Sequence, residues 1–199
     1  MVTRRGLMIA LGLGMAGMAV APQLAFAQAK PATKKPAKKK PFKLDQQYMP
    51  QSVPYPSSYP PGTVVVDPRN RFLYLIESDL SARRYGVGVG KAGLAWSGKA
   101  KVGRKAEWPR WTPTPNMIKR EPHKYAKYAD GVRGGPGNPL GARALYLYRN
   151  GRDTLYRIHG TTEPWTIGKA ISNGCIRLVN EHVADLYERV PVGAQVVVL

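Results

Sequence analysis

A single cysteine, three histidines and twelve acidic residues are all that this chain of 199 residues offers to sulfur, imidazole and carboxylate chemistry. One cysteine excludes an intrachain disulfide, so Cys175 is buried and inert, bonded between chains, or kept as a thiol for reactivity. His123 and His182 show no ligand spacing with Cys175, so the sequence supports no metal site. Long apolar runs are also missing. The longest, Gly6 to Val20, has fifteen residues and four glycines, short for a bilayer core of ~30 Å. Acids are scarce against 31 Lys and Arg, a formal charge of +19. That balance favours anionic polymers or surfaces through its field. The hydrophobic share of 43% is enough for a core and excludes wholesale disorder.

What is present begins with an export pattern. Arg4 and Arg5 precede the apolar run, and Ala25-Phe26-Ala27 supplies the small residues that a signal peptidase reads. Residues 1–27 are therefore expected to be a signal peptide cut after Ala27, since a cut after Ala21 would meet Pro22. Thr3 to Met8 also resembles a twin-arginine motif. Export removes nucleic acid from the candidate anions and leaves the cell envelope. Residues 28–61, rich in Lys and Pro, read as a solvated tether that can adhere to an anionic envelope polymer. Outside residues 1–43 the chain keeps 22 basic against 12 acidic residues.

From residue 62 to 199 the pattern is that of one mainly β domain. Thr63 to Val66 and Arg71 to Ile76 flank the turn Asp67-Pro68-Arg69-Asn70 and predict a hairpin. A third strand is expected over Arg83 to Val89. Ala144 to Tyr148 and Thr154 to Ile158 flank Asn150-Gly151, a strong turn signal. Gln195 to Leu199 closes the chain as a strand. One helix stands out, with Asn180 as its cap, Val183, Leu186, Tyr187 and Val190 on one stripe, and Pro191 and Gly193 at its end. His182, at its start, is expected on the surface. The stretch from Gly103 to Leu140 lacks regular pattern, but its tryptophans predict ordered covering structure that partly lines a site.

The chemistry concentrates in Ile158-His159-Gly160-Thr161 and Ile171-Ser172-Asn173-Gly174-Cys175-Ile176-Arg177-Leu178. A thiol nucleophile needs a partner that removes its proton, since a free cysteine has a pKa of ~8.5. It also needs donors aimed at a developing oxyanion. His159, at a strand end, is the candidate base and Cys175 the nucleophile. The N–H groups of Gly174 and Cys175 are the candidate oxyanion donors. Ser172 is placed to orient His159, and Arg177 to bind a substrate carboxylate.

In these two segments the chain resembles the L,D-transpeptidase catalytic domain, or YkuD, family. The resemblance extends to Thr112-Pro113-Thr114-Pro115, Gly137-Asn138-Pro139-Leu140-Gly141, Asn180 and Val192 to Val196. One departure is Asn173, which stands where the family usually has a second histidine, so any role needing a titratable ring there is in doubt. The resemblance implies a mixed-sheet β-sandwich of the L,D-transpeptidase type with one helix after the catalytic cysteine. It implies Cys175, His159, Ser172 and Gly174 as catalytic, and Arg177, Asn173 and Gly160 as substrate-binding. Such enzymes attack the L-centre carbonyl of diaminopimelate in a peptidoglycan tetrapeptide stem, release D-alanine and pass the acyl group to an amine, forming a 3→3 cross-link. No metal or organic cofactor is implied, and the expected partners are stem peptides of a periplasmic wall, met by a monomer. A carboxypeptidase or endopeptidase on the same scaffold, attachment of an envelope protein, and a non-catalytic wall binder remain as alternatives.

Overall fold

The computed structural model describes residues 42–199. The signal peptide and the first part of the tether fall outside the described residues. Eleven strands form a nine-stranded sheet and a two-stranded parallel pair. In chain order the strands are β1 (Gln51–Pro54), β2 (Val64–Asp67), β3 (Phe72–Ser78), β4 (Ser81–Gly86), β5 (Val89–Gly90), β6 (Gly98–Glu107), β7 (Arg143–Arg149), β8 (Arg152–His159), β9 (Ala170–Ser172), β10 (Ile176–Arg177) and β11 (Gln195–Val198). The large sheet has the order β1-β4-β3-β2-β11-β6-β7-β8-β10, while β5 pairs with β9. Two parallel pairings, β11 with β2 and β10 with β8, make the large sheet mixed. The domain is thus mainly β, with a helix after the cysteine.

Runs of valine mark the centre of this sheet. Val64, Val65 and Val66 are fully buried, as are Val196 to Val198 to within 5%. Successive side chains point to opposite faces, so an unbroken apolar run means both faces are covered. Val64, Val66, Val196 and Val198 enter the main core with Leu145, Leu147, Ile158 and Leu186. Val65 joins Ile76 and Ala82 on the other face, under Tyr55, Tyr59 and Tyr74. Tyr55 and Tyr59 belong to the stretch read from its prolines as tether, yet they dock here. Strand β1 also pairs with β4 along Gln51 to Pro54, because burying tyrosine rings on an apolar sheet face outweighs the stiffness that proline adds.

The hairpins follow their turns. Asp67 Oδ1 accepts from the N–H groups of Arg69 and Asn70, both at 3.0 Å, and so closes the β2–β3 turn. Asn150 and Gly151 take positive φ values of 50° and 74°, matching the twist of the flanking β7 and β8. Helix α3 (Asn180–Arg189) comes after the short α1 (Pro115–Arg120) and α2 (Pro122–Tyr125). Its Val183 and Leu186 are fully buried, each worth about 1.5–3 kcal/mol. Asp185 ties α3 to β4 by accepting from Arg83 at 2.8 Å and from the Tyr85 hydroxyl at 2.7 Å. Burial pushes the Asp185 carboxyl up, but hydrogen bonds from Tyr85, Arg83 and Arg189 outweigh it and hold the pKa at about 2.

Two expectations about α3 need correction. Asn180 does not cap it, since Val179 is the N-cap residue and no side chain caps the helix. The Asn180 amide is used elsewhere. His182 is buried, at 7% exposure, because it lies on the inward flank beside Val183. Strand β6 was not foreseen and crosses into the stretch judged patternless. The rest of that stretch is ordered. Thr114 caps α1 by accepting from the Met117 N–H, and Trp111 packs on Tyr125 and Tyr128. Asn138 donates to the carbonyls of Val132 and Arg133.

Candidate active site

The parallel ladder of β8 and β10 assembles the site. It sets Ile176 beside Ile158 and Arg177 beside His159. Ile158 and Ile176 enter the core, so the alternation of a strand turns His159 and Arg177 to the opposite face. Cys175, one residue before Ile176, takes that same face. His159, Cys175 and Arg177 line one cavity of about 410 Å³. Trp111, Met117, Tyr125 and Tyr128 from the covering segment form another wall. The expectation that this segment lines the site holds.

His159 is 4% exposed and held from behind. Its Nδ1 lies 2.5 Å from the Gly160 carbonyl. A carbonyl only accepts, so the proton sits on Nδ1 and Nε2 is left as the basic nitrogen. Burial, with the Arg177 charge second, lowers the pKa of the ring from 6.5 to about 3. The imidazole is therefore neutral at rest. Burial also pushes the Cys175 thiol up, and a hydrogen bond from the Arg157 backbone together with the Arg157 and Arg177 charges only partly offsets this. The thiol donates weakly to the Leu155 carbonyl at 3.9 Å. Leu155 sits at φ 63°, a left-handed conformation unusual for leucine, in the part of β8 where the register with β7 shifts. This bulge aims the Leu155 carbonyl at the sulfur. Both shifts favour the neutral forms, a thiol and an uncharged imidazole, over an ion pair.

Ser172 does not orient His159. Its hydroxyl donates to the Cys175 carbonyl at 2.6 Å and accepts from the Gly174 N–H at 3.1 Å, and its carbonyl accepts from the Lys91 N–H. It staples the turn that carries the thiol. The Gly174 N–H is thereby engaged, which removes it from the expected oxyanion pair. No described residue accepts from the Cys175 N–H, so that donor remains. Gly174 has φ 118° and packs against Tyr156 and the Leu94 carbonyl, so a side chain is excluded there.

Gly160 does not line the cavity. It packs against the Asn180 amide, and its carbonyl holds the His159 ring. Asn180 Oδ1 accepts from the N–H groups of Ala142 at 3.1 Å and Thr161 at 3.2 Å. One side chain thus fastens the segments that flank His159. Asn173 lines the cavity, but the covering segment grips both ends of its amide. Arg120 Nη2 donates to Oδ1 at 2.7 Å, and Nδ2 donates to the Tyr125 hydroxyl at 2.8 Å. Arg177 is not a free cation, because Glu163 Oε2 accepts from its Nη1 at 2.8 Å. Sequence reasoning missed Glu163, Leu155 and the grip of Arg120 and Tyr125 on Asn173. No spacing signal marks these contacts, which join residues distant in the chain or set apart by a bulge. Among the described residues no group of His, Cys, Asp and Glu is arranged to hold a metal ion.

Fold and site together define the class: a mixed-sheet β domain that sets one cysteine and one histidine in a common cavity. The model of the L,D-transpeptidase catalytic domain, YkuD, matches residues 61–198, and the chain belongs to that family. It is similar to the probable L,D-transpeptidase ErfK/SrfK of Escherichia coli K12, at 37% identity over 77% of this chain and 49% of the relative. It also resembles the putative L,D-transpeptidase YqjB of Bacillus subtilis, 35% identical over 68% of this chain and 69% of the relative. The chain spans about half the length of the first of these curated relatives. A solved structure from Brucella melitensis, described as a probable carnitine operon oxidoreductase, is 55% identical with a TM-score of 0.54. The match covers 78% of this chain and 96% of that one, and the description belongs to that protein. Among the described residues no helix is long and apolar enough to cross a membrane.

Proposed function

We propose that the protein is an exported L,D-transpeptidase of peptidoglycan, working as a cysteine acyltransferase in the periplasm. The observation that carries this reading is that Cys175 and His159 line one cavity beside the β8–β10 ladder. His159 Nε2 takes the thiol proton as the sulfur attacks the L-centre carbonyl of diaminopimelate in a tetrapeptide stem. The developing oxyanion is met by the Cys175 N–H. The bond to D-alanine breaks, His159 returns the proton to the leaving amine, and a thioester remains. An amine from a second stem then loses a proton to His159 and attacks the thioester. The amide forms, the C–S bond breaks, and the thiol is regenerated. Residues 1–27 direct export, and the basic tether adheres to anionic wall polymer; the protein acts as a monomer without a cofactor.

The test is product analysis. Purified protein incubated with tetrapeptide muropeptides should release D-alanine and form 3→3 cross-linked dimers. Tripeptide monomers without dimers would replace this reading with a carboxypeptidase.

A further inference from the structure

The cavity beside the thiol has one carboxylate among its lining residues, Glu163. Its backbone is pinned at three points. The Glu163 N–H donates to Thr161 Oγ1 at 3.0 Å, and its carbonyl accepts from the Thr166 N–H at 2.9 Å and the Thr166 hydroxyl at 2.7 Å. This places Oε2 2.8 Å from Arg177 Nη1, while no described residue donates to Oε1. The Glu163 side chain is 49% exposed and that of Arg177 20%. The Arg177 Nε is buried without a partner. Arg177 is the register partner of His159 and stands two residues from Cys175.

An arginine alone binds any carboxylate. A carboxylate fixed beside it weakens the pull on a simple anion and supplies a second pole. The ligand that satisfies both poles carries an ammonium and a carboxylate on one carbon. Such a head exchanges partners with the resting ion pair without stranding a charge, so neither desolvation is left uncompensated. Lys124 and Lys127 at the same cavity add positive field but no second acceptor for an ammonium.

We infer that Glu163 and Arg177 together form a receptor for the zwitterionic amino-acid head of a substrate, Arg177 taking the carboxylate and Glu163 the ammonium. The inference rests on the acyl-transfer reading of this site and adds a group that sets its specificity. Two sources present that chemistry: the side-chain head of the acylating stem and the head of the attacking amine.

Full-length wild type, Glu163→Gln and Glu163→Asp proteins separate them. In the first arm, mass gain on Cys175 is timed with a tetrapeptide stem whose side-chain head is zwitterionic and with the same stem N-acetylated at that head. In the second, acyl-enzyme made from the acetylated stem meets a zwitterionic amino acid, and amide is measured against hydrolysed stem. If the donor head is bound, the wild type prefers the zwitterionic stem at least tenfold, E163Q brings that preference within threefold, and E163D restores part of it. If the acceptor head is bound, E163Q lowers the amide-to-acid ratio at least tenfold, again with partial rescue by E163D. Both readouts staying within twofold of wild type in E163Q would overturn the inference while leaving acyl transfer intact. No mass gain on wild-type Cys175 with either stem would defeat the acyl-transfer reading, and the inference with it.

Discussion

The two halves of the candidate site are built differently. His159 ends an eight-residue strand, is buried, and is backed by Gly160 and Asn180. Cys175 hangs on a turn between strands of three and two residues, and its shape depends on the Ser172 hydroxyl. The imidazole belongs to the sheet, and the thiol to a small polar device set against it. On the proposed mechanism, rigid placement of the ring spares reorganisation when the proton moves, while the turn presents the sulfur and one N–H to the cavity.

Breaking the sheet-borne half should cost most. His159→Ala is expected to lower kcat by about 10³-fold, within the range of lost general-base catalysis, with the fold retained by circular dichroism. His182→Ala, outside the cavity, should keep kcat within a few-fold of wild type while melting at a lower temperature. Equal losses of kcat from both would dissolve the distinction.

Acid should weaken the same half next. The His159 pKa falls from 6.5 to about 3 on folding. Between those values the unfolded chain binds a proton that the native ring refuses. Stability is therefore full above pH 6.5 and declines as pH falls towards 3, by up to about 1.4 kcal/mol per unit. Urea melts from pH 7 to 4 should show this slope, and His159→Gln should flatten it, leaving the shares from His182, whose pKa burial also lowers, and, close to pH 4, from Asp185. A slope unchanged in that variant would contradict the buried neutral ring.

Asn180→Ala strands two backbone donors behind His159 and should cost about 1–3 kcal/mol in denaturant melts. Ser172→Ala acts on the other half. It should cost about 1 kcal/mol or less of stability but lower the Cys175 acylation rate about tenfold, because the turn loosens while the sheet does not. A larger effect of S172A than N180A on stability would reverse the comparison.

Local pattern made much of this legible. Alternation and Asn150-Gly151 predicted the β7–β8 hairpin, and the apolar stripe predicted α3. The two chemical segments bring the thiol and the imidazole to one cavity because β8 and β10 pair side by side. Non-local pairings were not legible. Gly98 to Val102 alternates, but its apolar positions are separated by lysines, and β6 owes its place to β11 and β7 on either side. The docking of Tyr55 and Tyr59 was hidden by the prolines around them. Asn180 looked like a cap because Asn commonly caps helices. Its amide serves Ala142 and Thr161 instead, a use that only the fold reveals.

The most direct test is the intact mass of the protein after exposure to a tetrapeptide stem, followed by peptide mapping. One acyl adduct is expected, located on Cys175, forming rapidly in wild type and slowly in His159→Ala. The same adduct on Cys175→Ala protein would contradict a Cys175 nucleophile.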